Sequence, residues 1–361
     1  MKRRWTKEEA NEWYSKLGWL RGCNFIGSDC ANRLDMWQSY KSEEKLATAE
    51  RELALAQKIG FNFVRLWANF DVYYAEPDSY FKIFEKYIAL CDKYGQKVMV
   101  VLAHEEDLPR GESFVAKEMG EQKYALGEHQ GRFPLTPEQK ALTPYHYLEY
   151  PELKEIFLTM VRETVRRYAK DERIIVWNVI NEPGMFLGDR VLNILPLLFD
   201  TVRAEDPMQP LCADIWHKTK DGKLANEVDE LSYELSDIIS LHSYSPYETL
   251  VTEIAYHRRK SGRPIFLTEW LLRITGSNVA EIYPLLWLEN IANACWGFVV
   301  GKTQTNEPWD IMWKALDEGR ADNYDFSKWM HDLFRPNLRP YDPKEIALIE
   351  KFNALAKEEG R

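Results

Sequence analysis

The sequence predicts an α/β chain folded as a single (β/α)8 TIM barrel, and three observations predict it. Eight short runs rich in β-branched and aromatic residues alternate with longer stretches whose apolar residues recur every three or four positions, the rhythm of β/α units around a parallel sheet. Runs such as Val98-Met99-Val100-Val101-Leu102 and Ile174-Ile175-Val176-Trp177 are apolar throughout, as strands covered on both faces should be. The length of 361 residues exceeds the ~250 of a typical barrel by no more than insertions supply.

In chain order the strand runs are Trp19 to Phe25, Phe63 to Ala68, Lys97 to Ala103, Ile174 to Ile180, Leu211 to Trp216, Ile238 to Leu241, Ile265 to Thr268 and Ala294 to Val300. Helices between them show one apolar face: Leu46, Ala49, Leu53, Ala56 and Ile59; then Phe81, Phe84, Ile88 and Cys91; then Phe157, Val161, Val165 and Tyr168. Gly60 and Gly95 stand where C-caps would end the first two. Further helices are read over Arg190 to Ala204, Glu248 to Arg259, Val279 to Asn293 and Pro343 to Ala356.

A doubly wound open sheet would place a glycine-rich phosphate turn after its first strand, and Gly22-Cys23-Asn24-Phe25-Ile26-Gly27 lacks that spacing. No repeat or low-complexity linker divides the chain, so residues 1–361 read as one catalytic domain. The longest irregular stretch, His104 to Tyr150, reads as an inserted loop after strand three, a lid or wall over the active-site face.

A formal charge of −10 leaves no basic surface to neutralise phosphates, which argues against nucleic acid and anionic membranes as partners. No segment approaches the ~20 apolar residues of a membrane span. The basic start Met1 to Trp5 is followed by a charged stretch instead of an apolar one, so the chain reads as cytoplasmic, or as secreted if a leader has been removed. Five scattered cysteines without a CxxC pair read as buried free thiols, Cys23 and Cys30 included.

Barrel enzymes carry their working residues at the carboxyl ends of the strands. Polar residues collect there: Arg65 in the second run, His104 after the third, Asn181 and Glu182 after the fourth, His242 and Tyr244 after the sixth, Glu269 after the seventh, and Trp296 within the eighth. Glu182 and Glu269, on opposite sides of such a mouth, are the two carboxylates that glycoside hydrolysis requires, one donating a proton and one meeting the oxocarbenium-like centre. A gap of roughly 5–5.5 Å between them implies retention, and roughly 6.5–9.5 Å implies inversion.

Trp177-Asn178-Val179-Ile180-Asn181-Glu182-Pro183 and Phe266-Leu267-Thr268-Glu269-Trp270 resemble the acid/base and nucleophile motifs of clan A glycoside hydrolases, the cellulase-like group around family 5. Arg65 in Asn62-Phe63-Val64-Arg65, His242-Ser243-Tyr244 and Trp296 match further motifs of that clan in the expected order, covering about residues 19 to 310. The resemblance implies a retaining β-glycosidase with Glu182 as acid/base and Glu269 as nucleophile, and no metal or organic cofactor. It implies that Arg65 and Tyr244 lower the pKa of Glu269, that Asn181 donates to the sugar 2-hydroxyl, and that His242 orients Glu182 or a sugar hydroxyl. Trp296 would floor the reacting sugar. Trp37, Trp67, Trp270 and Trp309 are candidate platforms, each with core packing as the competing reading, and His104 and Lys302 are candidate substrate contacts. The implied substrate is a plant-type β-linked glucan, mannan, xylan or galactan, or an oligosaccharide from one.

Taken singly, Asn-Glu-Pro could start a helix and Glu269 could be an ordinary ion-paired residue with Arg65 as its partner. The run His104-Glu105-Glu106-Asp107 raises a metal site, but no HxH or HExxH accompanies it. A catalytically inactive carbohydrate-binding barrel is the alternative function, and a displaced glutamate would mark it.

Overall fold

The computed structural model describes residues 3–110, 117–122, 143–219 and 221–361. The strands are β1 (Arg21–Asn24), β2 (Phe63–Trp67), β3 (Lys97–Val101), β4 (Glu106–Arg110), β5 (Thr143–Tyr145), β6 (Ile174–Asn178), β7 (Leu211–Cys212), β8 (Asp214–Ile215), β9 (Ile239–His242), β10 (Ile265–Glu269) and β11 (Ala292–Cys295). Nine of them form one sheet in the order β7-β6-β3-β2-β1-β11-β10-β9-β8. Every pair in it is parallel.

The two edges of this sheet, β7 and β8, are consecutive pieces of one run that changes partners at Ala213. Leu211 pairs with Trp177 and Asp214 with Ser240, and the Ala213 N–H turns to the Ser236 hydroxyl at 3.0 Å. The sheet is therefore a nearly closed barrel with eight strand positions, as the sequence predicts.

Period-two alternation sorts the strand residues. Val64 and Leu66 face the surrounding helices with Val98 and Val100. Phe63, Met99, Val176, Cys212, Phe266 and Ala292 face inward as an apolar floor. One and two layers higher the same strands carry buried Asn24, Arg65, Asn178, Asp214, Ser240, His242 and Glu269. The interior is thus apolar at the amino end and polar at the carboxyl end.

A helix at Lys7–Ser15, not anticipated from its charged sequence, closes the floor. Thr6 and Glu9 form a reciprocal capping box at its start, and Trp13 stacks on Phe266 with ring centroids 6.0 Å apart. The outer helices include Ser42–Lys58, Pro77–Lys93, Pro151–Tyr168, Ile194–Ala204, Tyr247–Lys260 and Pro343–Glu358. The predicted stripe Leu46, Ala49, Leu53 and Ala56 is the buried face of the first. Gly60 and Gly95 follow their helices with φ of +85° and +66°, the left-handed conformation that glycine adopts without penalty.

Several boundaries differ from the sequence reading. The eighth barrel strand is Ala292–Cys295, two residues earlier than expected, and the preceding helix stops at Leu288 instead of reaching Asn293. Asn290, at φ +50°, turns the chain there, and Ile291 returns its N–H to Leu286. A further helix, Glu227–Leu235, capped by Asn226, was not read from the sequence. The stretch 104–150 is not wholly irregular, because β4 and β5 pair antiparallel within it; residues 111–116 and 123–142 of the lid or wall reading lie outside the described ones. All five cysteines are buried and free, Cys23 and Cys30 among them. Among the described residues no helix is long and apolar enough to cross a membrane.

Barrel closure leaves no room at the β1–β2 contact. A Cβ on Gly22 would stand 1.5 Å from the Phe63 carbonyl oxygen. Gly22→Ala should therefore destabilise the protein by at least the ~1–3 kcal/mol of an overpacked core, read as a lowered denaturant midpoint; a wild-type midpoint would contradict this packing.

Candidate active site

At the carboxyl end of the barrel, fully buried Arg65 spreads its guanidinium across the axis. Its Nη1 donates to Asn24 Oδ1 at 3.0 Å and to Glu269 Oε1 at 2.8 Å. Its Nη2 donates to Asn181 Oδ1 and to Asp214 Oδ2, both at 2.7 Å. One side chain from β2 thereby fixes groups from β1, the turn after β6, β8 and β10. Accepting through Oδ1 leaves Asn181 its N–H2 group to donate.

Asp214 was missed in the sequence reading. Its Oδ1 accepts from Asn178 and Ser240, each at 2.6 Å. Burial alone would raise its carboxyl, but Arg65 and His242 hold it well below the usual carboxylate range. The available signal was a charged residue within the otherwise apolar run Leu211 to Trp216, which a buried strand tolerates only when the charge is paired.

Glu182 and Glu269 meet across the mouth through His242. The imidazole Nδ1 is 2.7 Å from Glu182 Oε1 and 3.5 Å from Glu269 Oε2, and its Nε2 is 3.4 Å from Asp214 Oδ1. One carboxylate oxygen of Glu182, one of Glu269 and a His242 nitrogen all lie within 4.8 Å of one another. A register irregularity between Leu267 and Glu269 at the end of β10 sets Glu269 opposite His242, the kind of local break that re-aims a side chain beside a site. Tyr244 Oη donates to Glu269 Oε2 at 2.7 Å.

Burial would depress His242, yet the Glu269, Asp214 and Glu182 carboxylates push it up to about 10. Among the described residues, Glu182, His242 and Glu269 are also the group with the spacing to hold a metal ion. Glu269 corrects an expectation. Burial raises its carboxyl, aided by Glu182, and His242, Arg65 and Tyr244 oppose that rise without reversing it. The sequence shows its partners and not the desolvation they must overcome.

The other candidates divide between mouth and core. Trp296, one residue past β11, sits edge-on to Trp67 with centroids 5.2 Å apart, and the Trp67 ring lies 4.6 Å from the Arg65 guanidinium carbon. Half-buried Trp309 stands edge-on to Tyr244 at 5.6 Å. His104 Nε2 lies 3.1 Å from Glu106 Oε1. Lys302 is half-buried, and its backbone N–H bonds to Ser28. Trp37 and Trp270 are not sugar platforms: both are buried in the core, Trp37 against Phe84 and donating to the Trp67 carbonyl, Trp270 donating to Asn293. Asn-Glu-Pro does not start a helix, since Glu182 has φ +38° and the chain turns back on itself at Gly184.

A family model described as Cellulase (glycosyl hydrolase family 5) matches residues 22–296, from β1 to just beyond β11. No curated protein matches the chain in sequence. Solved structures similar to it include an endo-β-1,4-mannanase from Thermotoga petrophila, at 14% identity and TM-score 0.56 over 94% of this chain and 78% of that one. An endo-glycoceramidase II from Rhodococcus sp. is similar at 15% identity and TM-score 0.56, over 92% of this chain and 78% of that one. A β-galactosidase from the haloarchaeon Halorubrum lacusprofundi is similar at 13% identity and TM-score 0.55, over 94% of this chain but only 58% of that one. Identities this low carry the barrel fold alone; the family match spans most of the chain, and by it the chain belongs to glycosyl hydrolase family 5, a retaining, β-specific glycoside hydrolase.

Proposed function

We propose that this enzyme hydrolyses β-glycosidic bonds in plant-type β-glycans or their oligosaccharides (glucan, mannan, xylan or galactan), with Glu269 as nucleophile and Glu182 as general acid/base. The observation that carries the reading is that one carboxylate oxygen of Glu182 comes within 4.8 Å of one of Glu269, a closest approach in keeping with carboxyl groups ~5–5.5 Å apart, as a double displacement requires. In the first step a Glu269 oxygen bonds to the anomeric carbon while the Glu182 proton passes to the departing oxygen. In the second, water attacks that carbon, gives its proton to Glu182 and releases Glu269.

Charge counting supports this division. Arg65 and the His242 imidazolium are cations and Asp214 is an anion, so the buried cluster is neutral when the two glutamates carry one negative charge between them. Esterifying Glu269 removes that charge, which favours Glu182 as base in the second step. Asn181, oriented by Arg65, donates to the sugar 2-hydroxyl, and Trp296 floors the reacting sugar. The mannanase, galactosidase and glycoceramidase neighbours share the fold with different substrates, so contacts to the sugar C2 and C4 hydroxyls choose among the glycans.

On a phenyl β-glycoside of a sugar found by screening, whose poor leaving group needs a proton, Glu182→Gln and Glu269→Gln should each abolish nearly all hydrolysis without altering the far-UV spectrum; wild-type-like turnover by either would refute the assignment. Azide added to Glu269→Gly should restore cleavage and yield a glycosyl azide of inverted configuration, and an absence of rescue would remove Glu269 as nucleophile.

His242 gives a prediction about stability. Its folded pKa of about 10 lies above the ~6.5 of an unfolded histidine, so its stabilising contribution is full below pH ~6.5 and is lost as pH rises through about 10. The unfolding free-energy difference between wild type and His242→Gln should shrink across that window; a constant difference would show that the imidazole is neutral in the fold.

A further inference from the structure

The run His104-Glu105-Glu106 after β3 holds two buried carboxylates that the hydrolytic reading leaves unused. Glu106 serves its own segment. Its Oε1 accepts from the Tyr147 hydroxyl at 2.7 Å and its Oε2 from Lys117 Nζ at 2.7 Å, with His104 3.1 Å from Oε1. Glu105 faces the other way, toward the turn that follows Glu182. Its Oε1 accepts the Gly184 N–H at 2.5 Å, and its Oε2 accepts the N–H groups of Phe186 at 2.7 Å and Leu187 at 2.8 Å. Only 5% of Glu105 is exposed.

That turn needs holding. Glu182 has φ +38°, a left-handed conformation in which its Cβ crowds the backbone, and Gly184 follows at φ +84°. Upstream, the Asn181 N–H bonds to the Ala103 carbonyl at 2.9 Å. Downstream, the Pro183 carbonyl accepts from Trp216 Nε1 at 3.2 Å. Pro183 has no N–H to offer; Met185 returns its N–H to the Glu182 carbonyl at 3.2 Å, and Glu105 collects those of Gly184, Phe186 and Leu187 around it. A carboxylate accepting three backbone N–H groups is among the strongest anchors a turn can have. Burial raises the Glu105 carboxyl, and these three donors pull the other way.

We propose that Glu105 is a positioning residue for proton transfer: its bonds to Gly184, Phe186 and Leu187 hold the turn after β6 in the strained form that aims the Glu182 carboxyl at the leaving oxygen. The proposal rests on Glu182 being the general acid. Proton donation matters little when the leaving group is a stable anion and greatly when it is a poor one, so misaimed Glu182 has a signature that general loss of packing does not share.

The test compares wild type, Glu105→Gln, Glu105→Asp and Glu182→Gln on a series of aryl β-glycosides of one sugar, from 2,4-dinitrophenyl to phenyl. Glu105→Gln replaces one acceptor oxygen with an N–H2 group facing backbone donors. It should lower kcat/KM for the phenyl glycoside by on the order of ten- to a hundredfold, part of the ~10²–10⁴ that general acid catalysis supplies, and leave the dinitrophenyl glycoside nearly unchanged. Glu105→Asp, which keeps the carboxylate, should fall between Glu105→Gln and wild type, and it carries the measurement if the Gln variant does not fold. Equal losses on both leaving groups, or an unchanged dependence on leaving group in both Glu105 variants, would overturn the proposal. Glu182→Gln separates the two readings: a loss there that grows as the leaving group worsens, without one in the Glu105 variants, discards Glu105 alone, whereas its absence in Glu182→Gln discards the general acid and this inference with it.

Discussion

A guanidinium sealed inside a barrel must be neutralised where it lies, and the polar half of this molecule is organised by that requirement. Arg65 is stripped of water and repaid through two carboxylates and two amide oxygens. Its planar fork offers donors in fixed directions, so it dictates where Glu269, Asp214, Asn24 and Asn181 stand relative to one another. Removing a partner from such a set leaves a buried charge uncompensated, at a cost of about 3–5 kcal/mol. The constraint runs outward from there: Asp214 gathers Asn178 and Ser240 and lies 3.4 Å from His242, and His242 reaches both glutamates.

The apolar floor makes this arrangement affordable. Phe63, Met99, Val176 and Phe266, sealed below by the Lys7–Ser15 helix and Trp13, keep water from entering under the charges, so hydrogen bonds above them act in a medium of low dielectric. Burial then sets the electrostatics in opposite senses for different groups. Asp214, with a guanidinium at 2.7 Å, is held ionised; Glu269, beside Glu182 as well as its cationic neighbours, has its carboxyl raised; His242, among three carboxylates, keeps its proton.

One of the chain's strained backbone positions falls at the same place. Glu182 in the left-handed region carries a cost of roughly 1–2 kcal/mol that its environment must offset. Glu105, in the segment after β3, and Trp216, just past β8, reach the turn from both sides, so the Glu182 side chain is held although it lies on a loop.

Much of this was legible in the residues. Period and composition marked the strand order, and the polar residue closing each run marked the site, because strand ends of a barrel point to one mouth whatever the helices between them do. The reading failed where a property belonged to residues far apart in the chain. Trp37 resembled a platform until Phe84 and the Trp67 carbonyl claimed it; Asp214 went unnoticed because its partner Arg65 is 149 positions away; and helix 227–235 is a short capped segment packed against the barrel. By itself the sequence determined the barrel, the order of its strands and which side chains end them, since those follow from local periodicity. Only the tertiary structure decided the gap between the two glutamates, the direction in which burial shifts Glu269, and the partners of Glu105, since distance and desolvation exist only once separate strands have been brought together.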